Sequence, residues 1–170
     1  VLYGVESGVQ KNLDTIGKNV TVERTRQVVA DTHAAGIEMF LPFMFGIPGE
    51  TFSEGLRTID FAVELDPYYA NFNAITPFPG TWLWDHGDRL GHVIRDPHRL
   101  TFQGGAFTPH SMSKEELERL RQIAFRRFYS RPRYALRWLK GAGNRHVARA
   151  ILRGLPSLAA LWLDREAFRV

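Results

Sequence analysis

Three short stretches carry groups that could hold a small ligand. Glu6-Ser7-Gly8 sets a carboxylate, a hydroxyl and a residue without a side chain in succession. The carboxylate can accept from a sugar diol or an amine, Ser7 adds a second polar group, and Gly8 leaves room for close backbone approach. Gly46-Ile47-Pro48-Gly49-Glu50-Thr51, just past Met44, exposes backbone groups that a planar adenine edge can use. Ala74-Ile75-Thr76-Pro77 closes a third apolar run, and Lys18 offers a loop ammonium after Ile16-Gly17. Taken singly, each stretch is more simply a turn. Order and context have to carry the argument.

Other chemistry is excluded. The 170 residues include no cysteine, which removes disulfides and any thiolate-held zinc or iron–sulfur centre within the chain. Among the six histidines, His86, His92 and His98 are spaced six apart in loop-like sequence and make no helical i, i+4 pair, so no metal site is predicted. The apolar share of 44% and charged share of 24% fit a soluble globular protein. No run approaches the roughly 20 apolar residues that cross a bilayer. The opening Val1-Leu2-Tyr3-Gly4-Val5 reads as a strand rather than a cleavable leader, and the chain is expected to begin in mid-domain. Charge is unevenly divided: residues 1–112 carry 8 Lys+Arg against 13 Asp+Glu, net −5, and residues 113–170 carry 14 against 5, net +9. Two regions with different surroundings follow from that asymmetry.

The motifs need a scaffold, and the pattern alternates strand with helix. Residues 2–6 read as a short strand. Thr21 precedes a helix over residues 22–35 that stops at Gly36. Residues 37–45 are apolar on both faces, as in a parallel sheet covered by helices. Thr51 and Glu54 form a capping box before a helix carrying Leu56, Ile59, Ala62 and Leu65, which Asp66-Pro67 ends. Residues 69–75 make the third strand. The spacing of about 30–36 residues per unit is that of right-handed parallel βα units, and it predicts Glu6, Gly46 and Thr76 at the same end of three adjacent strands. Periodicity alone fits a doubly wound sheet and a piece of β/α barrel equally well. Residues 82–112 are loop-rich, with Trp82, Trp84, Phe102 and Phe107 expected to pin them down. Ser113 and Glu116 start a helix whose Leu117, Leu120, Ala124 and Phe128 share a face. Arg131-Pro132-Arg133 interrupts it, residues 134–140 resume it, and residues 146–163 form a further apolar stretch with Arg145, Arg149 and Arg153 at i, i+4 spacing. The expected organisation is an α/β part over 1–112 and a basic helical extension over 113–170.

In their order, Tyr3-Gly4-Val5-Glu6-Ser7-Gly8, Ile16-Gly17-Lys18, Phe45-Gly46-Ile47-Pro48-Gly49-Glu50-Thr51 and Thr76-Pro77-Phe78-Pro79-Gly80-Thr81 resemble the fourth to sixth strands of the partial β/α barrel of the radical S-adenosylmethionine (radical SAM) family. The likeness covers about half the chain. A closer likeness is to the branch with an N-terminal cobalamin-binding domain, which includes anaerobic magnesium-protoporphyrin ester cyclase and hopanoid-associated enzymes. In that branch the barrel is followed by a helical segment resembling Glu116-Leu117-Glu118-Arg119 through Arg131-Pro132-Arg133-Tyr134.

The resemblance implies residue roles. Glu6 would hold the ribose hydroxyls of S-adenosylmethionine with Ser7 beside it, and Lys18 would pair with the methionine carboxylate. Met44 and Gly46 would face the adenine, and the backbone near Thr76 would close the far side. Some relatives place a polar residue where this chain has Pro42 or Phe43, so no polar contact transfers there. The implied cofactors are S-adenosylmethionine and a [4Fe–4S] cluster, with cobalamin in the closer branch. The implied reaction is reductive cleavage to methionine and a 5′-deoxyadenosyl radical, or methylation with cobalamin. The implied partners are a small-molecule, lipid or tetrapyrrole-like substrate and a reductant protein such as a flavodoxin or ferredoxin, in the cytoplasm. The family's Cys-x3-Cys-x2-Cys loop and its glycine-rich second-strand motif are absent. The chain is therefore expected to be the C-terminal part of a larger enzyme, contributing the nucleoside side of the site, inactive alone and sticky at its open sheet edge. A non-catalytic binding or scaffold relative is the alternative.

The basic extension does not read as a nucleic-acid surface. Phe125, Phe128, Tyr129, Tyr134 and Trp138 interleave with arginines, but at the helical spacing of core contacts. Peripheral contact of residues 113–170 with a membrane and a solvated basic face both remain open.

Overall fold

Threonines set the helix starts. The computed structural model describes residues 1–101 and 105–141. After a six-residue helix α1 (Gln10–Thr15), the longer α2 (Val22–Ala34) begins at Thr21, whose side chain accepts from the Arg24 amide. Strand β1 (Phe40–Phe45) leads into α3 (Phe52–Leu65), where Thr51 and Glu54 close the expected capping box. Helix α3 ends at Asp66, in the left-handed region at φ 42°, ahead of Pro67 and strand β2 (Tyr69–Ala74). The short α4 (Trp82–His86) is capped by Thr81. A small hairpin of β3 (Gly91–Val93) and β4 (Phe107–Pro109) follows, then α5 (Lys114–Tyr129) and α6 (Pro132–Gly141). The chain divides into two compact units, Val1–Ala124 and a second from Phe125 onward.

In the first unit β1 and β2 pair in parallel, with Phe40 opposite Tyr69 and Phe45 opposite Ala74. The expected strand at residues 2–6 is replaced by two isolated parallel bridges to β1, Leu2 to Phe40 and Glu6 to Phe43. The segment takes four steps where β1 takes three, so it carries one extra residue, a bulge. Pro42 explains why the bulge is tolerated. The Phe40 amide donates to Val1 and the Met44 amide to Glu6, so the next donor in that series falls at residue 42, a proline with none to give. The ladder breaks where β1 has no N–H. The direction and order of the three segments are as expected, and the architecture is α/β with a parallel pair and crossover helices, compatible with a partial barrel.

One face of the sheet forms the core. Leu41, Phe43 and Phe45 are fully buried, as is Phe72, whose ring stacks on Phe43 at 5.5 Å and on Phe45 at 6.1 Å. Ile59 and Ala62 of α3 and Leu13 of α1 are likewise sealed. Each of the leucine, isoleucine and phenylalanine side chains contributes roughly 1.5–3 kcal/mol by leaving water. On the other face Pro42, Met44, Asn71 and Asn73 are only half-buried.

Residues 82–112 are more ordered than their composition suggested. Phe107 is fully buried and pins the hairpin as expected, and Trp84 lies under the Arg95 guanidinium. Trp82 does not pin the segment: it is 64% exposed and stacks on His86, one turn along its own short helix. Phe102 lies outside the described residues. Helix α5 starts with the expected Ser113–Glu116 capping box, and Leu117, Leu120 and Ala124 are buried on one face. In the second unit, Phe128 packs against Tyr129 and Tyr134, and the Arg131 guanidinium sits 4.1 Å above the Phe128 ring. These aromatics serve as core contacts. Residues 146–163 with Arg145, Arg149 and Arg153 lie outside the described residues. Among the described residues no helix is long and apolar enough to cross a membrane.

Candidate functional site

The parallel segments bring Glu6, Gly46 and Thr76 to the same end of the sheet, where ligands of such folds bind. Glu6 sits there in a strained conformation. Its φ is 66°, and the Ser7 amide bonds back to the Val5 carbonyl at 2.8 Å, a γ-turn that few residues other than glycine adopt. Strain of this kind persists only where surrounding bonds enforce it, and here the Glu6 amide and carbonyl are both tied to β1, at Pro42 and Met44.

The carboxylate of Glu6 faces Lys18, Nζ to Oε1 at 3.1 Å, with side chains 18% and 35% exposed. Helix α1 delivers that lysine. Its end is a Schellman turn: the Gly17 amide donates to Asp14 and the Lys18 amide to Leu13, with Gly17 at φ 66°. Gly4 makes room for the pair. A Cβ there would lie 2.5 Å from Glu6 Oε1 and 2.8 Å from Lys18 Nζ. A cavity of about 530 Å³ opens beside Lys18, lined also by Gln10, Asp14 and Arg24.

Ser7 is placed differently from Glu6. Its hydroxyl is fully buried, 3.0 Å from the Thr58 hydroxyl, and accepts from the Val9 amide and the Asn12 carboxamide. Asn12 in turn donates to Glu50 Oε1 at 2.9 Å, while Glu50 Oε2 accepts from the amides of Gly46 and Ile47 at 2.6 and 3.3 Å. A buried polar chain thus runs from the turn after Glu6, through α1, to the glycine turn after β1. Burial pushes the Glu50 carboxyl up to about 7, against the opposing pull of those two amides. Lys11 adds a tie from outside, bonding the Gly49 carbonyl and the Glu54 carboxylate. For Glu54, partial burial raises the carboxyl, and the Lys11 and Thr51 hydrogen bonds outweigh it, so it lies below the ordinary range.

Gly46 is buried at φ 79°, and a Cβ there would press on Leu117. The turn does not expose the backbone expected for a planar base, because the Gly46 and Ile47 amides are taken by Glu50. Met44 is half-buried, its amide bonded to the Glu6 carbonyl at 2.7 Å. The Thr76 hydroxyl donates to the Thr101 carbonyl, and the Ile75 amide to Phe45. Glu6, Lys18, Met44 and Gly46 are therefore connected by direct bonds or chain adjacency, Thr76 follows β2 at the same end, and Ser7 supports from below. Sequence reasoning gave Glu50, Asn12, Thr58 and Gly4 no role. A glutamate inside a Gly-Ile-Pro-Gly turn was the available signal, since a carboxylate there can collect the turn's free amides. Among the described residues no group of three His, Cys, Asp or Glu could hold a metal.

No family model matches the chain. Homologous proteins do. An uncharacterized methyltransferase of Pyrococcus horikoshii is 31% identical over 144 residues, which is 81% of this chain and 30% of that protein. The anaerobic magnesium-protoporphyrin IX monomethyl ester cyclase of Rubrivivax gelatinosus is 27% identical over 130 residues, 76% of this chain and 23% of the cyclase. The cytidylyl-2-hydroxyethylphosphonate methyltransferase of Streptomyces wedmorensis is 30% identical over 132 residues, 71% of this chain and 24% of the enzyme. These homologues are methyltransferase-like proteins of the radical SAM type, and the chain belongs with them in the radical SAM family, as its motifs implied. It spans less than a third of their length.

Proposed function

We propose that the chain supplies the nucleoside side of an S-adenosylmethionine site in a larger radical SAM enzyme. The observation that carries this reading is the Glu6 turn: a half-buried carboxylate held in a strained γ-turn at the ligand-binding end of a parallel sheet, with glycine at position 4 beside it. The donor set fits the nucleoside. A carboxylate can accept from both hydroxyls of a ribose and an ammonium complements the methionine carboxylate, whereas the amides of the Gly46 turn are already taken by Glu50. When bound, S-adenosylmethionine supplies a C–S bond for reductive cleavage or a methyl group for transfer.

The chain's own residues bind and orient. Glu6 holds the ribose, and Lys18 moves from Glu6 to the amino-acid end of the ligand. The Ser7–Asn12–Glu50 chain keeps the Glu6 turn and the glycine turn after β1 in fixed relation. Residues for an iron–sulfur cluster are not here: the sequence has no cysteine, and the described residues hold no metal-binding group. The cluster would rest on other parts of the protein. Whether the enzyme methylates or closes a ring, and on what substrate, follows from those parts as well.

Anaerobic incubation with S-adenosylmethionine and dithionite, followed by chromatography for 5′-deoxyadenosine, tests the reading. The enzyme in which this chain is joined to a Cys-x3-Cys-x2-Cys segment is expected to form 5′-deoxyadenosine, and the 170-residue chain alone to form none. No product from the joined protein, or product from the chain alone, contradicts it.

A further inference from the structure

Strand β2 carries an asparagine whose carboxamide oxygen has no partner among the described residues. The register places Asn73 opposite Met44 and Asn71 opposite Pro42, on the sheet face away from the stacked phenylalanines. The two asparagines differ. Asn71 Oδ1 accepts from the Phe72 amide at 2.9 Å, whereas Asn73 Oδ1 is buried with no hydrogen-bond partner among the described residues. Asparagine is a poor strand residue, and a buried amide oxygen left without a donor is costly, so packing gives no reason for it. Its position is firmly set: the next bond of the ladder, from the Ile75 amide to the Phe45 carbonyl, follows directly. Glu6 lies opposite Phe43, one step before the Met44–Asn73 pair, and the Met44 amide bonds to the Glu6 carbonyl, so Asn73 sits one ladder step from the Glu6 turn.

We propose that the Asn73 carboxamide reads the adenine ring of S-adenosylmethionine, its Oδ1 accepting from the exocyclic amine. The proposal rests on the nucleoside site described above. A carboxamide offers an acceptor and a donor side by side, the complement of adenine's amine and the neighbouring ring nitrogen. Its register partner Met44 offers only a thioether, a weak acceptor. Asn73 thus sets base specificity, while Glu6 sets ribose affinity.

The test compares 5′-deoxyadenosine with its purine analogue lacking the 6-amino group, by calorimetric titration of the full-length protein and its Asn73→Ala and Asn73→Ser variants. Thermal melts show that each variant is folded, and the serine variant decides if the alanine one is not. The wild type is expected to prefer the amino compound by roughly three- to tenfold, the scale of one hydrogen bond, and the variants to bind both compounds alike. An unchanged preference in a folded variant, or an equal loss for both compounds, overturns the role of Asn73 and leaves the site standing. A wild type that binds neither compound removes the site itself.

Discussion

The Glu6 carboxylate and the Lys18 ammonium meet at 3.1 Å across the bare backbone of Gly4. The pair is only partly shielded from water at the end of the sheet where ligands of such folds bind, so each group could exchange its partner for one on a ligand. Its energy as an ion pair is modest because both side chains retain some solvent contact, so exchange is easy. A stronger pair would compete with the ligand.

Gly4→Ala tests this directly. The added Cβ meets only the ends of two flexible side chains, so the fold should lose less than about 1 kcal/mol, and the pair should open. Binding of S-adenosylmethionine by the full-length protein should weaken several-fold. A variant with normal affinity and a normal melt would show that the crowding at Gly4 has no bearing on the site.

Gly46→Ala should be worse for stability. Its φ of 79° disfavours any side chain, and the Cβ would press on Leu117 at 3.3 Å inside the core. A loss of about 1–2 kcal/mol is expected from the left-handed backbone, read from urea denaturation. Gly49→Ala, at φ 77° with nothing within 4 Å of its Cβ, carries the backbone cost alone and should lose less.

Glu50 gives a pH signature. Its carboxyl is raised in the folded protein from 4.5 to about 7 by burial. The folded state then keeps a proton that the unfolded state releases, so stability falls as pH rises from about 4.5 to about 7 and levels off above. The contribution is on the order of 3 kcal/mol. Glu54, with its carboxyl lowered, acts in the opposite sense and in another window: the stability it adds is lost only as pH falls below 4.5 through its folded value. Urea denaturation from pH 4.5 to 8 should show the decline in the wild type and a flatter profile in Glu50→Gln. Identical slopes would mean that Glu50 is not held in this environment.

The sequence made the parallel arrangement legible because residues 40–45 are apolar on both faces and the helices between the segments carry visible caps. It concealed whatever depends on two elements at once. The bulge opposite Pro42 is a property of register, which a single strand does not reveal. Helix α1 is six residues long, too short for periodicity to announce, yet it delivers both Lys18 and Asn12. The three-residue strands of the β3–β4 hairpin fall below the length at which alternation can be read, so they passed as loop. Of the candidate site, Glu6 and Gly46 were legible as a polar and a glycine residue after apolar runs, and Lys18 only through the resemblance carried by Ile16-Gly17-Lys18. The inward turn of Ser7 and the burial of Glu50 were not, because burial is decided by α1 and α3 packing over both. Trp82 shows the converse: an aromatic in a loop-rich stretch invites a core role, but a five-residue helix left it facing solvent.

The account's central claim is that Glu6 holds the nucleoside. Calorimetric titration of S-adenosylmethionine into the full-length protein and its Glu6→Ala variant measures it most directly. The variant should bind more weakly by about 1–3 kcal/mol, the scale for losing a partly buried charged acceptor, and Lys18→Ala, a more exposed group, should cost less. Equal affinity in the wild type and the Glu6 variant would contradict the claim.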